Sequence, residues 1–173
     1  GAHGFSNRPW TVSLHGHDFV TLTLHDAAGS MGFPGSLEVT CTYRLKIPGT
    51  LSVEISATCE ETTLCNLTQH SYFNLDDGGA GDVFDHRMAI FAGAYLPVDR
   101  DFLPTGVVQP VDDTPFDFRQ ARPLRLGGED RDFLYDHNFC LAPARGPLRQ
   151  AAWVQGAVSG VEMELWKIGR AHV

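Results

Sequence analysis

The segment formed by residues 66–75, Asn-Leu-Thr-Gln-His-Ser-Tyr-Phe-Asn-Leu, concentrates the side chains of this sequence that could do acid–base chemistry. Side chains alternate between the two faces of an extended backbone. One face then carries Thr68, His70, Tyr72 and Asn74. That face offers a proton donor or acceptor, a phenol, a hydroxyl and an amide, and it has no aliphatic side chain. Because sugar hydroxyls need donors and acceptors and sugar C–H faces pack on aromatic rings, the pattern predicts a sugar site. The alternative for His70 is a core histidine whose polar atoms are satisfied locally.

Composition limits the classes of protein to which the chain could belong. Its 173 residues fit one domain with a real core, and the 43% hydrophobic content excludes disorder. A net charge of −8 and a pI near 5.3 argue against a nucleic-acid partner, which requires a basic face. No apolar run approaches the ~20 residues of a membrane span, so no membrane partner is predicted. The oligomeric state stays open.

The four cysteines, Cys41, Cys59, Cys65 and Cys140, contain no Cys-x-x-Cys pair, which argues against a zinc ribbon or a redox site. Cys41 and Cys59 lie in phase with apolar neighbours and are predicted to be small buried hydrophobes. This usage favours a reducing compartment, and we predict a cytoplasmic location, with a disulfide left open.

The apolar pattern has a period of two residues throughout, which indicates strands. Alternating apolar residues at 39–45 and 51–59 flank Pro48-Gly49 and predict a long antiparallel hairpin with one buried and one polar face. Shorter alternations at 10–14 and 20–24 precede it. Later strands are predicted at residues 88–92, 107–111, 138–141, 151–155 and 161–166. The predicted fold class is all-β, a large antiparallel β-sandwich.

Three stretches interrupt the strand pattern. Residues 76–86 contain three glycines and several acidic residues, and they are predicted to form a surface loop. Residues 95–117 contain four prolines and are predicted to be a loop with short extended pieces. Residues 118–124 could hold one helical turn at most, because Pro123 interrupts them. Long loops on a sandwich are usually functional or wrap an edge.

Further motifs, in order along the chain, accompany the segment at 66–75. They are Gly-Ala-His-Gly-Phe at 1–5, Gly-Phe-Pro-Gly at 32–35, Tyr-Leu-Pro-Val-Asp at 95–99, Thr-Pro-Phe-Asp-Phe-Arg at 114–119 and Tyr-Asp-His-Asn-Phe at 135–139. Together with Asn-x-Thr-x-His-Ser-Tyr-Phe-Asn-Leu they resemble the aldose 1-epimerase (galactose mutarotase) family, over residues 1 to about 166. The resemblance implies the galactose-mutarotase-like supersandwich, in incomplete form.

The resemblance also implies a reaction and a set of site residues. Members interconvert the α and β anomers of aldohexoses such as galactose and glucose by acid/base ring opening. His70 matches the family's catalytic acid, a role that suits an imidazole because its ordinary pKa of ~6.5 makes both forms accessible. Ser71 and Tyr72 match residues that border the pocket, and Asp136 matches the aspartate that binds sugar hydroxyls. No cofactor and no metal are implied, and the partner is a small aldose.

The resemblance implies that the chain is truncated at both ends, with residues 1–166 a partial domain and residues 167–173 a non-native tail. Residues 168–173 match the translation of a common sequencing adapter, and Lys167 would span the junction. The family's general base is a glutamate near the carboxyl terminus, and neither Glu162 nor Glu164 matches its context. The chain alone is therefore predicted to be inactive. A sandwich lacking terminal strands exposes edges and apolar faces, so aggregation is also predicted.

The residues leave three other functions to consider. A non-catalytic carbohydrate-binding sandwich, or a domain of a larger glycoside-processing enzyme, would show the same polar segment, and a glutamate in the terminal strands of the full-length gene would distinguish the epimerase. His15-Gly-His17 with His25 suggests a cupin-type metal site. However, His15 and His17 are predicted to face away from Trp10, Val12 and Leu14, and no carboxylate follows at the required spacing. A serine hydrolase lacks its Gly-x-Ser-x-Gly motif.

Overall fold

The structure is a computed structural model that describes residues 4–126, 135–142, 144 and 146–168. Across those residues the chain is almost entirely β, with three short 3₁₀ helices at Phe5–Asn7, Ser30–Gly32 and Asp77–Gly79. The strands are β1 (Thr11–His15), β2 (Phe19–Asp26), β3 (Leu37–Lys46), β4 (Thr50–Cys59), β5 (Arg87–Ile90), β6 (Ala94–Leu96), β7 (Gln109–Pro110), β8 (Arg122–Pro123), β9 (Asn138–Cys140), β10 (Arg149–Gln155) and β11 (Glu162–Lys167). The chain divides into two compact units, residues 1–71 and 72–173.

The first unit is built on one antiparallel sheet in the order β1-β2-β3-β4. Its central feature is the β3–β4 hairpin, paired without interruption from Leu37 opposite Cys59 to Lys46 opposite Thr50. This confirms the hairpin predicted around Pro48-Gly49. The inward side chains of the two central strands are buried: Leu24, Leu37, Val39 and Cys41. The opposite face is polar, and Thr21 Oγ1 lies 3.0 Å from Thr42 Oγ1 across the ladder.

The outer strand β4 departs from the prediction of a buried apolar face. Leu51, Ile55 and Cys59 are exposed, although each lies opposite an inward residue of β3 or in phase with one. β4 has a neighbour on one side only, so its side chains gain less cover than those of the central strands. The prediction that Cys59 is buried is therefore wrong, whereas Cys41 is buried as expected. All four cysteines are free thiols.

A β-bulge in β1 corrects the predicted faces of the first strand. The register shifts between Val12, which pairs with Leu22, and Leu14, which pairs with Thr21. One extra residue moves every later side chain to the other face. Leu14 consequently joins the polar face and His15 lies opposite Val20 on the apolar one. His17 follows β1 and belongs to no strand, so the shared face predicted for His15 and His17 does not exist.

The second unit contains two antiparallel sheets, β11-β10-β5-β8 and β7-β6-β9. One core joins them, with Ile90 and Ala152 from the first sheet packed with Tyr95 and Phe139 from the second. Buried residues from the connections complete this core: Ala92, Val111, Phe116 and Phe118. The all-β antiparallel fold class is thus confirmed, and here two sheets pack on one core.

The strands predicted for the second unit correspond to β5, β7, β9, β10 and β11, with shorter or shifted ends. Two strands were missed, β6 and β8. The helical turn allowed at 118–124 does not form, because Arg122 and Pro123 pair with β5 instead. Pro110 and Pro123 lie in the outer strands β7 and β8, where a residue without an N–H can be tolerated.

Exposed apolar side chains on the outer strands of the first unit lead to a first prediction. Val12, Leu51 and Ile55 lie on β1 and β4, whose outer edges pair with no described strand. The unpaired N–H and C=O groups of such edges can form hydrogen bonds with a strand of another molecule. We expect the purified chain to self-associate at micromolar concentration and Ile55→Lys to reduce this association, as measured by size-exclusion chromatography with light scattering. Thr58→Lys, on the polar face of the same strand, is the charge-matched control. A monodisperse monomer for the unmodified chain would contradict the prediction.

Candidate active site

The segment predicted to carry the chemistry is not part of a sheet. Residues 62–75 belong to none of the described strands, so the extended segment expected there lacks ladder pairing. Burial alternates only over residues 67–70, where Leu67 and Gln69 are half-buried and Thr68 and His70 exposed. Beyond them the predicted alternation fails, because Ser71 and Phe73 are exposed and Asn74 is half-buried. Local side-chain contacts replace ladder bonds, and Gln69 Nε2 donates to the Ser71 hydroxyl. The hydroxyl, imidazole and phenol side chains of the segment are thus exposed to solvent, whereas its Gln69 and Asn74 amides are half-buried.

The predicted site residues fall in both units. His70 and Ser71 are exposed and end the first unit. Tyr72 begins the second unit with 89% of its side chain exposed. Asp136 is also exposed and belongs to the second unit. A role for all four in one sugar site remains a prediction.

Asp136 is placed by the two rings that flank it in the chain. Tyr135 lies edge-on to Phe118, with ring centroids 5.1 Å apart. His137 lies over Phe116 at 4.4 Å, and Phe116 itself stacks on Tyr95 at 4.1 Å. These contacts fix the backbone on both sides of Asp136 against the aromatic core while its carboxylate stays exposed.

His137 differs from an ordinary surface histidine. Burial lowers the pKa of its imidazole, and the neighbouring Asp136 carboxylate opposes this shift. The ring is therefore neutral near pH 7, because its ordinary pKa of 6.5 already lies below that pH. Its Nδ1 is buried and has no hydrogen-bond partner among the residues that the structure describes.

A second polar cluster, which sequence patterns did not predict, lies just after the segment. Asp76 and His86 are 8% and 2% exposed, although residues 76–86 were predicted to be a surface loop. The Asp76 carboxylate accepts backbone N–H groups of Ala157 at 3.0 Å, Val158 at 3.2 Å and Ser159 at 2.8 Å. These bonds, that of Ser159 foremost, lower the pKa of Asp76. No local signal could have revealed the cluster, because the donors lie more than 80 residues away in sequence.

The motif at 114–119 forms a charge cluster rather than a catalytic pair. Arg119 donates to both carboxylate oxygens of Asp117 and to Asp112, and the Arg119 guanidinium lowers the pKa of Asp117 to about 2. Arg122 stacks 3.8 Å above the Phe118 ring and donates to the Asp117 carbonyl. An open depression of about 520 Å³ beside these residues is lined by none of the predicted site residues. The charged side chains beside it, Arg119, Asp117 and Asp112, already pair with one another.

The two carboxylates of β11 have local structural partners. Trp153 Nε1 and Gln155 Nε2 donate to Glu162 at 3.2 and 3.1 Å. Trp166 Nε1 donates to Glu164 at 2.9 Å. Both glutamates are exposed on an outer strand, as the sequence indicated. Their contacts tie β11 side chains to neighbouring tryptophans and glutamine.

Metal-binding clusters and membrane-spanning helices are two further features on which the described ranges bear. No group of three or more His, Cys, Asp or Glu side chains there could hold a metal ion. None of the helices in that part of the chain has the length and apolar character needed to cross a membrane.

Comparison with known proteins identifies the chain's relatives. A family model described as aldose 1-epimerase matches residues 1–169. The chain is 40% identical over 169 residues to galactose mutarotase of Rattus norvegicus, covering 96% of this chain and 48% of that protein. It is 37% identical over 149 residues to aldose 1-epimerase of Haemophilus influenzae, covering 83% of this chain and 44% of that protein.

Solved structures give the same assignment. A GalM/aldose epimerase homologue from C. elegans superposes with a TM-score of 0.84 at 30% identity, over 95% of this chain and 50% of that one. Galactose 1-epimerase from Lactobacillus acidophilus gives a TM-score of 0.69 at 28% identity, over 85% of this chain and 45% of that one. The chain spans about half the length of the relatives it matches. It belongs to the aldose 1-epimerase family.

Proposed function

We propose that this chain is the acid-bearing part of an aldose 1-epimerase, which interconverts the α and β anomers of aldohexoses such as galactose and glucose. The observation that carries the proposal is the polar segment with exposed His70, inside a family match that covers residues 1–169. The relatives' names, aldose 1-epimerase and galactose mutarotase, supply the reaction class.

The reaction opens the sugar ring and closes it on the other face of C1. Opening requires a base that removes the anomeric hydroxyl proton and an acid that protonates the ring oxygen. His70 is proposed as the acid. On closure the same imidazole takes that proton back, so its resting form is restored. An exposed histidine suits this exchange because an imidazole nitrogen can both donate and accept a proton and the side chain is open to a ligand.

The remaining predicted residues are proposed to bind the sugar. Asp136 offers two carboxylate oxygens that can accept hydrogen bonds from neighbouring hydroxyls, and such charge-assisted bonds are strong. Tyr72 presents a nearly fully exposed ring and phenol, which suit a C–H face and a hydroxyl of the sugar. Ser71, which directly precedes Tyr72 in the chain, adds a hydroxyl. No metal or cofactor takes part in the proposed reaction.

The general base is proposed to come from sequence outside these 173 residues. Glu162 and Glu164 accept hydrogen bonds from tryptophan and glutamine side chains on β10 and β11, which gives both a structural role. The relatives are about twice as long as this chain, so a partner glutamate has room elsewhere. Acid assistance without the base forfeits the base's share of the rate, a factor of roughly 10²–10⁴.

Polarimetry of freshly dissolved α-galactose tests the proposal. We expect the 173-residue chain to leave the spontaneous rate almost unchanged and the full-length protein encoded by the native gene to accelerate it. Appreciable turnover by the chain alone would contradict the proposal that the general base lies outside these 173 residues. A full-length protein that binds galactose without accelerating mutarotation would favour the non-catalytic carbohydrate-binding module instead.

Asp136→Asn in the full-length protein tests the binding role. Hydrogen bonds to a charged group contribute about 1.5–3 kcal/mol, so we expect KM for galactose to rise about 10- to 100-fold. The value of kcat should change much less, because the carboxylate binds ground state and transition state alike. Asp113→Asn, an exposed aspartate on a turn of the same unit, is the control. An unchanged KM for Asp136→Asn would remove the residue from the site.

A further inference from the structure

The backbone of residues 75 and 76, shortly after Tyr72, is fully hydrogen-bonded although it lies in no strand. The Leu75 N–H donates to His86 Nε2 at 3.0 Å, and the Leu75 carbonyl accepts the Ser159 hydroxyl at 2.7 Å. The Asp76 N–H donates to Asn74 Oδ1 at 2.9 Å, and the Asp76 carbonyl accepts the Gly79 N–H at 3.0 Å. Every backbone polar group of residues 75 and 76 is thus bonded, mostly by side chains.

The Asp76 carboxylate locks this short stretch to the turn between β10 and β11. Three consecutive N–H groups, those of Ala157, Val158 and Ser159, converge on its two oxygens. Successive N–H groups of this kind form a concave anion site. Gly156 lets the carboxylate approach, since a Cβ there would lie 2.4 Å from Asp76 Oδ1. Any larger residue at position 156 would therefore push the Asp76 carboxylate away from these N–H groups.

His86 completes the lock from the other side. Its Nε2 accepts the Leu75 N–H, so the proton of the neutral ring is on Nδ1, which lies 3.8 Å from Asp76 Oδ2. The ring is 2% exposed, and a buried imidazole that orients a backbone N–H must keep one tautomer. Asp76, His86 and Ser159 therefore act as one unit, which we name the anchor.

We propose that the anchor residues Asp76, His86 and Ser159 are positioning residues of the sugar site. They fix the backbone at 75–76, and Tyr72 lies only three residues before this fixed backbone. Residues 62–73 lie in no strand, and the anchor supplies a fixed stretch of backbone close in sequence to the Tyr72 ring. The inference rests on the proposed function, because it assigns the purpose of the anchor to the same site.

The first test measures the anchor itself in the full-length protein, by amide hydrogen exchange. We expect His86→Leu to raise the exchange rate of the Leu75 and Asp76 amides at least tenfold. His86→Gln should restore protection to within about threefold, because a glutamine oxygen can accept the same N–H. Val154→Ala, which creates a cavity at a buried position of β10 in the same unit, controls for general destabilisation. It should leave these two amides protected.

The second test asks whether the anchor serves the site. We expect His86→Leu to lower kcat/KM for galactose mutarotation at least tenfold, His86→Gln to stay within threefold of the unmodified protein, and Val154→Ala to match it at a temperature where all are folded. The proposal is overturned if His86→Leu keeps normal exchange or normal kcat/KM, or if Val154→Ala lowers kcat/KM equally. An unmodified full-length protein without mutarotase activity would contradict the proposed function instead, and exchange would still decide whether the anchor holds residues 75–76.

Discussion

His70→Ala in the full-length protein is expected to lower kcat for mutarotation of α-galactose by about 10²–10⁴-fold, the usual contribution of one general acid or base. The methyl group cannot protonate the ring oxygen, so ring opening would rely on water. KM should change less than kcat, since an interaction made mainly in the transition state is lost. Polarimetry over a range of galactose concentrations separates the two constants.

The stability of the His70 variant should be nearly unchanged. His70 is exposed and lies in no strand, and substitutions at such positions usually stay within about 0.5 kcal/mol. His17→Ala, which also replaces an exposed histidine outside the strands, is the matched control and should keep full activity. A near-normal kcat for His70→Ala, with an unchanged melting temperature, would remove His70 from the acid role.

The sheet of the first unit shows what a sequence pattern can predict. The β3–β4 hairpin follows from ten-residue strands with a strict period of two and from a Pro-Gly turn between them, and the structure pairs them as expected. Both signals are local, so one sequence suffices. The bulge between Val12 and Leu14 carries no such signal, because the extra residue is decided by pairing with β2. One residue therefore reversed the predicted faces of His15 and Leu14.

The sequence proposes the residues of the candidate site, but the contacts that hold the neighbouring backbone could not be predicted from it. The order of polar and aromatic residues at 66–75 singled out His70 and Tyr72, and the structure shows both exposed. Burial of Asp76 was not predictable, because glycines and aspartates are typical of exposed loops. Its carboxylate is satisfied instead by backbone N–H groups of a distant turn. Such tertiary bonds override the local preference.

The same limit applies to the aromatic core behind Asp136. The prolines at 95–117 predicted a loop, and most of that stretch is irregular. Yet Tyr95, Val111 and Phe116 are all buried in the core of the second unit. Irregular backbone gives no periodic pattern, so the sequence could not show which of its apolar residues point inward. The residues that fix Asp136 were therefore found only in the structure.

Phe118→Ala is expected to produce the largest loss of stability in the second unit. Phe118 is 1% exposed, and its ring packs edge-on against Tyr135 and Phe139 with the Arg122 guanidinium 3.8 Å above it. Removing a buried phenylalanine ring costs about 3–5 kcal/mol. That is a large share of the 5–15 kcal/mol that stabilises a typical protein. We expect the melting temperature to fall by about 10 °C or more, as measured by calorimetry.

Phe118→Leu and Phe102→Ala separate loss of packing from loss of an aromatic residue. Leucine fills part of the cavity, so its cost should be clearly smaller, and Phe102 is exposed, so its removal should cost about 0.5 kcal/mol or less. Equal melting temperatures for Phe118→Ala and Phe102→Ala would contradict the assignment of this core. Because Tyr135 rests on Phe118 and directly precedes Asp136, Phe118→Leu should also raise KM for galactose in the full-length protein. Phe102 is exposed and lies outside the described core, so its replacement should leave KM unchanged.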